Sequence, residues 1–319
     1  MKRIVIIGVY FGKFPDFFEL WLKSCSYNDK IDFFVFTDQK IHGYPKNMKV
    51  IKMTMSEFSE LARQKLNLSG INITRAYKCC DFKPVYGIIL EDYIKQYDYW
   101  GHCDFDLIFG DILANIDKKA WDQCDKILPL GHLSFYRNTR EVNDRYKLKS
   151  ATASYKEIFT SDKSYAFDEF TGMMYIYQQN GFPFYEKRVF ADIDSVHKRF
   201  RLSMNDRNYR HQVFYWEKGH IYKAYIEDDL IKKSEYAYIH FKKRKNMPIK
   251  IVDVNSCEEF FVTRYGFIEK PNTGLPSIKE IKKYNPYRGF LYERYEYYRF
   301  RYNNMMRKIK RYLTGANNK

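Results

Sequence analysis

No stretch of this 319-residue sequence stays apolar for long enough to cross a bilayer. The longest uncharged apolar run near the start, Ile4 to Gly12, falls well short of the roughly 20 residues a membrane helix needs. Lys2-Arg3 stands before it, but Phe11-Gly12-Lys13-Phe14-Pro15 offers no small-residue cleavage pattern. No secretory signal is therefore expected, and the protein is placed in the cytoplasm. The six cysteines form no C-x-x-C pair, which argues for reduced thiols rather than disulfides or a zinc site. The opening loop, Gly8-Val9-Tyr10-Phe11-Gly12, lacks the G-x-G-x-x-G spacing of a dinucleotide site, and no Walker A loop exists. A serine-hydrolase elbow, G-x-S-x-G, is missing as well. Internal repeats and low-complexity segments are also absent.

Aromatic residues are abundant: 30 Tyr, 26 Phe and 4 Trp make up 19% of the chain, which supplies area for a large core and excludes disorder. Apolar residues at 45% and charged residues at 29% fit a globular protein of one large domain or two modest ones. The net charge of +16 is unevenly spread, because residues 241–319 hold 19 Lys or Arg against seven Asp or Glu. A nearly balanced body thus carries a basic tail, which suggests an anionic partner for the tail, either membrane lipid or nucleic acid.

Apolar patterning predicts strands at Ile4 to Val9 and Ile31 to Phe36, joined through a helix around Phe17 to Leu22. Val50 to Met53 reads as a third strand and Ser56 to Lys65 as a helix. Asp81 to Gln96 reads as a helix capped by Asp81 with Pro84 in its first turn, and Tyr97 to Phe105 as a strand. Further strands are expected at Lys126 to Leu130, Val213 to Glu217, Ile221 to Tyr225 and Tyr236 to Phe241, with Phe170 to Asn180 helical. This alternation favours a layered α/β architecture with a mostly parallel sheet. Residues 276–319 read as helical, broken near Asn285-Pro286. Beyond the break Leu291, Tyr295, Tyr298, Tyr302, Met305, Ile309 and Tyr312 recur at steps of 4 and 3, a heptad-like seam on a basic helix. Such a seam can pack on the body, lie on a membrane surface or pair two subunits.

Trp100 to Asp111, WGHCDFDLIFGD, is the strongest local signal. In extended backbone, residues i and i+2 face one side, so Asp104 and Asp106 can converge on a hard cation at the carboxyl end of a strand, the edge where open α/β sheets bind ligands. The second Asp-x-Asp, Asp192 and Asp194, lies among Ser195, His197 and Lys198 and reads as a solvated turn. Lys83 precedes Pro84 at a helix start, where a cation opposes the helix dipole; an anionic ligand would explain it.

DFKPVYG (Asp81 to Gly87), WGHCDFDLIFGD, GHLSFYRN (Gly131 to Asn138), FDEFTGM (Phe167 to Met173) and YIHFKKR (Tyr238 to Arg244) occur in order. Over about residues 1–245 the chain resembles nucleotide-sugar glycosyltransferases of the GT-A fold, and most closely a bacterial family found with capsule and lipopolysaccharide genes. The resemblance implies a Rossmann-like, mixed but mostly parallel sheet flanked by helices in residues 1–250, followed by a helical basic extension in 251–319. It implies Mn²⁺ or Mg²⁺ held by Asp104, Asp106 and His240, and a nucleotide-sugar donor, UDP-sugar being favoured, met by Tyr10, Phe11, Asp38, Lys83, Asp104, Lys243 and Arg244. Lys242 would join Lys243 and Arg244 in clamping phosphate oxygens. Asp168 or Glu169 would deprotonate or orient the acceptor hydroxyl, with Gly172 giving the acceptor room. His132 and Arg137 would face the acceptor.

The expected partners are thus a nucleotide sugar, a glycan or lipid-linked glycan acceptor, and an anionic membrane surface met by the C-terminal helix. The protein would then sit at the inner face of the plasma membrane. The competing readings are a metal-dependent nucleic-acid enzyme or binder, because paired carboxylates with a basic region also describe nucleases, and a non-catalytic membrane scaffold. The basic excess lies away from Asp104 and Asp106, which argues against nucleic acid as the partner.

Overall fold

The computed structural model describes the backbone of residues 2–203, 206–242 and 244–313, with side chains to residue 310. Strands β1 (Ile4–Tyr10), β2 (Ile31–Thr37), β3 (Met48–Lys52) and β4 (Tyr99–Cys103) form a parallel block in the order β3-β2-β1-β4. Val5, Ile6 and Ile7 are wholly buried, because a parallel strand covered on both faces needs a continuous apolar run rather than an alternating one. Their alternation still decides what each face meets. Ile4, Ile6, Phe33 and Val35 pack with Leu20 and Trp21 of α1 (Phe18–Ser26), whereas Val5, Ile7, Phe34 and Phe36 pack with Phe58 and Ala62 of α2 (Met55–Leu66).

Beyond β4 the sheet continues through β7 (Leu133–Arg137) and β6 (Lys126–Ile127), both antiparallel to their predecessors, to β8 (Phe184–Tyr185). A second, three-stranded sheet has the order β5-β13-β9: β5 (Leu107–Phe109) and β9 (Ala191–Asp192) flank β13 (Tyr238–His240). A third sheet is almost entirely antiparallel, built from β10 (Gln212–Glu217), β11 (His220–Glu227), β12 (Leu230–Tyr236), β14 (Ile249–Lys250), β15 (Glu259–Thr263) and β16 (Gly266–Glu269). The fold is therefore mixed α/β, with a parallel-rich sheet between helices.

Three expectations are corrected. Asp81 to Gln96 is not one helix but a succession of short turns, Cys79–Phe82, Lys83–Val85, Tyr86–Ile89 and Glu91–Ile94. Asp81 caps nothing there, since its carboxylate accepts the amides of Tyr165 and Phe167, both at 3.1 Å, and the Lys78 ammonium at 2.9 Å. The chain after residue 250 does not turn directly helical, because β15 pairs with β10 and closes the third sheet first. Helices α3 (Ile278–Tyr284) and α4 (Phe290–Leu313) come later. Of the three alternatives for the seam of α4, packing on the body is not seen among its described residues, since Leu291, Tyr295, Tyr298, Tyr302, Met305 and Ile309 are all exposed, and the Tyr312 side chain lies outside them. Instead α4 is tied down at its start by its two acidic residues. Glu293 pairs with Arg199 at 2.8 Å and Arg201 at 2.7 Å, and Glu296 accepts the Lys198 amide at 3.2 Å.

Candidate active site

Asp104 follows β4 at the carboxyl edge of the parallel block, next to the end of β1, and its amide donates to the His132 carbonyl at 2.9 Å. Phe105 turns inward, its ring 4.8 Å from Trp21 and 4.9 Å from Tyr10, so Asp104 and Asp106 on either side of it turn outward. β5 then starts antiparallel to β13 with Leu107 opposite His240, and the Phe241 amide closes on the Asp106 carbonyl at 2.9 Å. This register brings His240 Nε2 to 3.6 Å from Asp106 Oδ1. Asp104, Asp106 and His240 each offer a ligand atom within 4.8 Å of the others'. Two carboxylates and one imidazole suit a hard or borderline divalent cation such as Mg²⁺ or Mn²⁺. Burial alone would lower the His240 pKa; the neighbouring carboxylates of Asp106 and Asp192 outweigh it and raise it to about 9.

Lys83 joins three segments from below. Its ammonium lies 2.6 Å from Asp104 Oδ1, 2.9 Å from Asp168 Oδ2 and 2.9 Å from the Gly131 carbonyl. Burial would strip its proton, but Asp104 and Asp168 overcome it and hold the pKa well above the usual lysine range. A Cβ on Gly131 would fall 2.2 Å from Asp168 Oδ2, so only glycine lets the two segments come this close. Next in sequence, Glu169 has its pKa pushed up to about 7 by burial and then by Asp168, while the Gly131 amide acts against the rise. Such a carboxyl group exchanges a proton near neutral pH.

These groups share a cleft of about 830 Å³ with Tyr10, Phe11, Tyr77, Phe170, Lys242 and Lys245. Tyr10 stacks on Phe14 at 4.9 Å and accepts from Lys245 Nζ at 3.1 Å. Tyr77 and Phe170 leave 66% and 46% of their surface open, large aromatic faces in a cleft that is otherwise polar at its base.

A model of the family of unknown function DUF6625 matches residues 6–271. The chain belongs to that family. No curated protein matches it. Among solved structures it is similar to a glycosyltransferase involved in the glycosylation of the major capsid of PBCV-1, at 9% identity and a TM-score of 0.35, over 60% of this chain and 85% of the other. It is also similar to the galactosyltransferase LgtC in complex with donor and acceptor sugar analogues, at 12% identity and a TM-score of 0.35, over 59% and 75% of the two chains.

In this DUF6625 chain the residues singled out from sequence fall into two groups. Tyr10, Phe11, Lys83, Asp104, Asp106, His132, Asp168, Glu169 and His240 line the one cleft. Asp38 does not; its carboxylate accepts from Gln39 at 2.9 Å and from the Gly12 amide at 3.1 Å, bonds that lower its pKa and tie the loop after β1. Arg244 turns away as well, donating to the His197 carbonyl at 2.8 Å with its guanidinium 5.4 Å from the Phe200 ring centre. Arg137 is spent on Asp125 at 3.0 Å. Lys243 lies outside the described residues.

Lys83 needs no ligand to explain it, because two carboxylates already neutralise it. Gly172 gives no room to an acceptor: a Cβ there would meet the Phe167 carbonyl oxygen at 1.9 Å. Asp192 is no solvated turn either. It is 3% exposed and lies 2.9 Å from His240 Nδ1. Lys245, Asp192, Tyr77 and Phe170 are cleft residues to which sequence alone assigns no role; the second Asp-x-Asp is the available signal for Asp192, obscured by its polar neighbours. Among the described residues all six cysteines are unpaired, and no helix is long and apolar enough to cross a membrane.

Proposed function

We propose that this chain is a metal-dependent glycosyltransferase of the GT-A kind, moving a sugar from a nucleotide sugar to a hydroxyl of a glycan or lipid-linked glycan. The observation that carries the reading is the convergence of Asp104, Asp106 and His240 on one point at the carboxyl edge of a parallel sheet, beside a cleft large enough for a sugar nucleotide. Asp104, Asp106 and His240 would hold Mn²⁺ or Mg²⁺, which when bound supplies positive charge to a departing diphosphate. Lys242 and Lys245, which line the cleft, would add charge from its rim in place of Arg244, which turns away. Tyr10 and Phe11 offer apolar surface to the base.

Glu169 is the better candidate for taking the proton of the acceptor hydroxyl. Asp168 is the weaker one, since its carboxylate is committed to the buried Lys83 ammonium. Tyr77 and Phe170 present ring faces to an acceptor sugar. Helix α4, with every acidic residue of its described part bound to the body and its apolar seam exposed, would bring the enzyme to an anionic membrane surface where a lipid-linked acceptor resides. A screen of nucleotide sugars with Mn²⁺, read by nucleotide release, tests the reading. Release from at least one donor that stops in EDTA is expected; release from none, or release indifferent to EDTA, overturns it.

A further inference from the structure

Two sets of ligand atoms share His240. One is Asp104, Asp106 and His240; the other is His132, Asp192 and His240. Geometry separates their roles. They meet opposite ring nitrogens: Asp192 Oδ1 is hydrogen-bonded to Nδ1 at 2.9 Å, whereas Asp106 Oδ1 faces Nε2 at 3.6 Å. The second set is also buried throughout, whereas Asp104 and Asp106 are only half-buried.

Pairing of β9 with β13 explains how Asp192 arrives there, since Asp192 stands directly beside His240 in the parallel register. Its other oxygen, Oδ2, accepts from Ser203 Oγ and from Lys242 Nζ at 2.9 Å. Lys242 itself sits in the left-handed region at φ 54°, a conformation uncommon for residues with a side chain, two positions after the histidine it helps to fix. His132 stacks on the His240 ring, centroids 4.4 Å apart at 29°, and limits its rotation.

We infer that Asp192, braced by Lys242 and Ser203, is a positioning residue: it holds a His240 proton on Nδ1 and turns Nε2 toward the space it shares with Asp104 and Asp106, where a divalent cation would be bound. A carboxylate behind a metal-binding histidine fixes tautomer and ring direction, and removing it typically costs tenfold to a hundredfold in metal affinity. The inference rests on the metal-dependent reading of the site.

The test is Mn²⁺ affinity of the purified chain without nucleotide, from the electron paramagnetic resonance of free Mn²⁺, beside its thermal midpoint. Asp192→Ala should weaken Mn²⁺ binding by about tenfold to a hundredfold. Asp192→Asn, whose amide oxygen still accepts from Nδ1, should restore most of it. If Asp192→Ala does not fold, Ser203→Ala loosens the same carboxylate and should weaken Mn²⁺ binding by at least threefold. Unaltered affinity in the folded variants, equal loss in the alanine and asparagine variants, or no Mn²⁺ binding by the parent chain would each overturn the role of Asp192. Mn²⁺ binding that depends on Asp192 without nucleotide release from any donor would uphold that role and sink the transferase reading instead.

Discussion

Lys83 is buried between Asp104 and Asp168 and neutralises both. Lys83→Met would leave the carboxylate of Asp168 buried without its cation, and breaking one side of a buried pair costs about 3–5 kcal/mol. Urea titration should show that loss, and adding Asp168→Asn should recover part of it. Glu169 gives a different readout. Asp168, Lys83, Asp104 and the Gly131 amide act on it, and burial leads in raising its pKa to about 7. A base must be ionised to accept a proton, so transfer should rise as pH passes upward through about 7. The sign for folding is opposite, because a raised pKa stabilises the protonated form: that contribution is full below the ordinary glutamate value of 4.5 and is lost as pH rises from there to about 7. Glu169→Gln should lower turnover about a hundredfold or more and abolish this acid limb. An unchanged pH profile in the variant would assign the proton to another group.

Strand β1 and the Phe33 to Phe36 stretch of β2 could be read from the sequence because a parallel strand buried on both faces leaves a continuous apolar signature. Helix α2, expected over Ser56 to Lys65, spans Met55–Leu66, and the capping box of Thr54 and Glu57 sets its earlier start. Where the outcome depended on distant partners, patterning failed. The stretch after Asp81 has helix-like composition, yet Asp81 and Lys83 are held by residues more than 80 positions away and by Asp104, and the backbone bends to reach them. Asp192 was misread for the same reason, since its burial depends on β9 pairing with β13, 48 residues later. The carboxylate pair Asp104 and Asp106 was legible because period-two alternation is local. Helix α4 leads to another expectation. Truncation after Glu296 keeps both acidic anchors and removes seven basic residues with no acidic one. The full chain should cosediment with anionic liposomes at low salt, and the truncated chain should not, while donor hydrolysis survives. Binding to neutral liposomes alone, or a salt-independent dimer, would assign the seam to another partner.

Across the molecule, most of the basic excess lies away from the cleft, and of residues 241–319 Lys242 and Lys245 reach into it. The basic excess of the +16 chain sits mainly in residues 241–319, and the carboxylates that face the cleft are matched locally by Lys83, Lys242 and His240. Each sheet contributes differently to this separation: the parallel block ends at Asp104, the three-stranded sheet carries Asp106, His240 and Asp192, and the antiparallel sheet adjoins the segment that anchors α4. What unites them is the cleft in which the proposed divalent cation and diphosphate would be held. Calorimetric titration with UDP probes that site without requiring the acceptor or the sugar to be known. UDP should bind in Mn²⁺, and binding should disappear in EDTA and in Asp106→Asn, with the variant folded as judged by its thermal midpoint. Equal UDP affinity with Mn²⁺, with EDTA and in Asp106→Asn would contradict a metal-held diphosphate at this site.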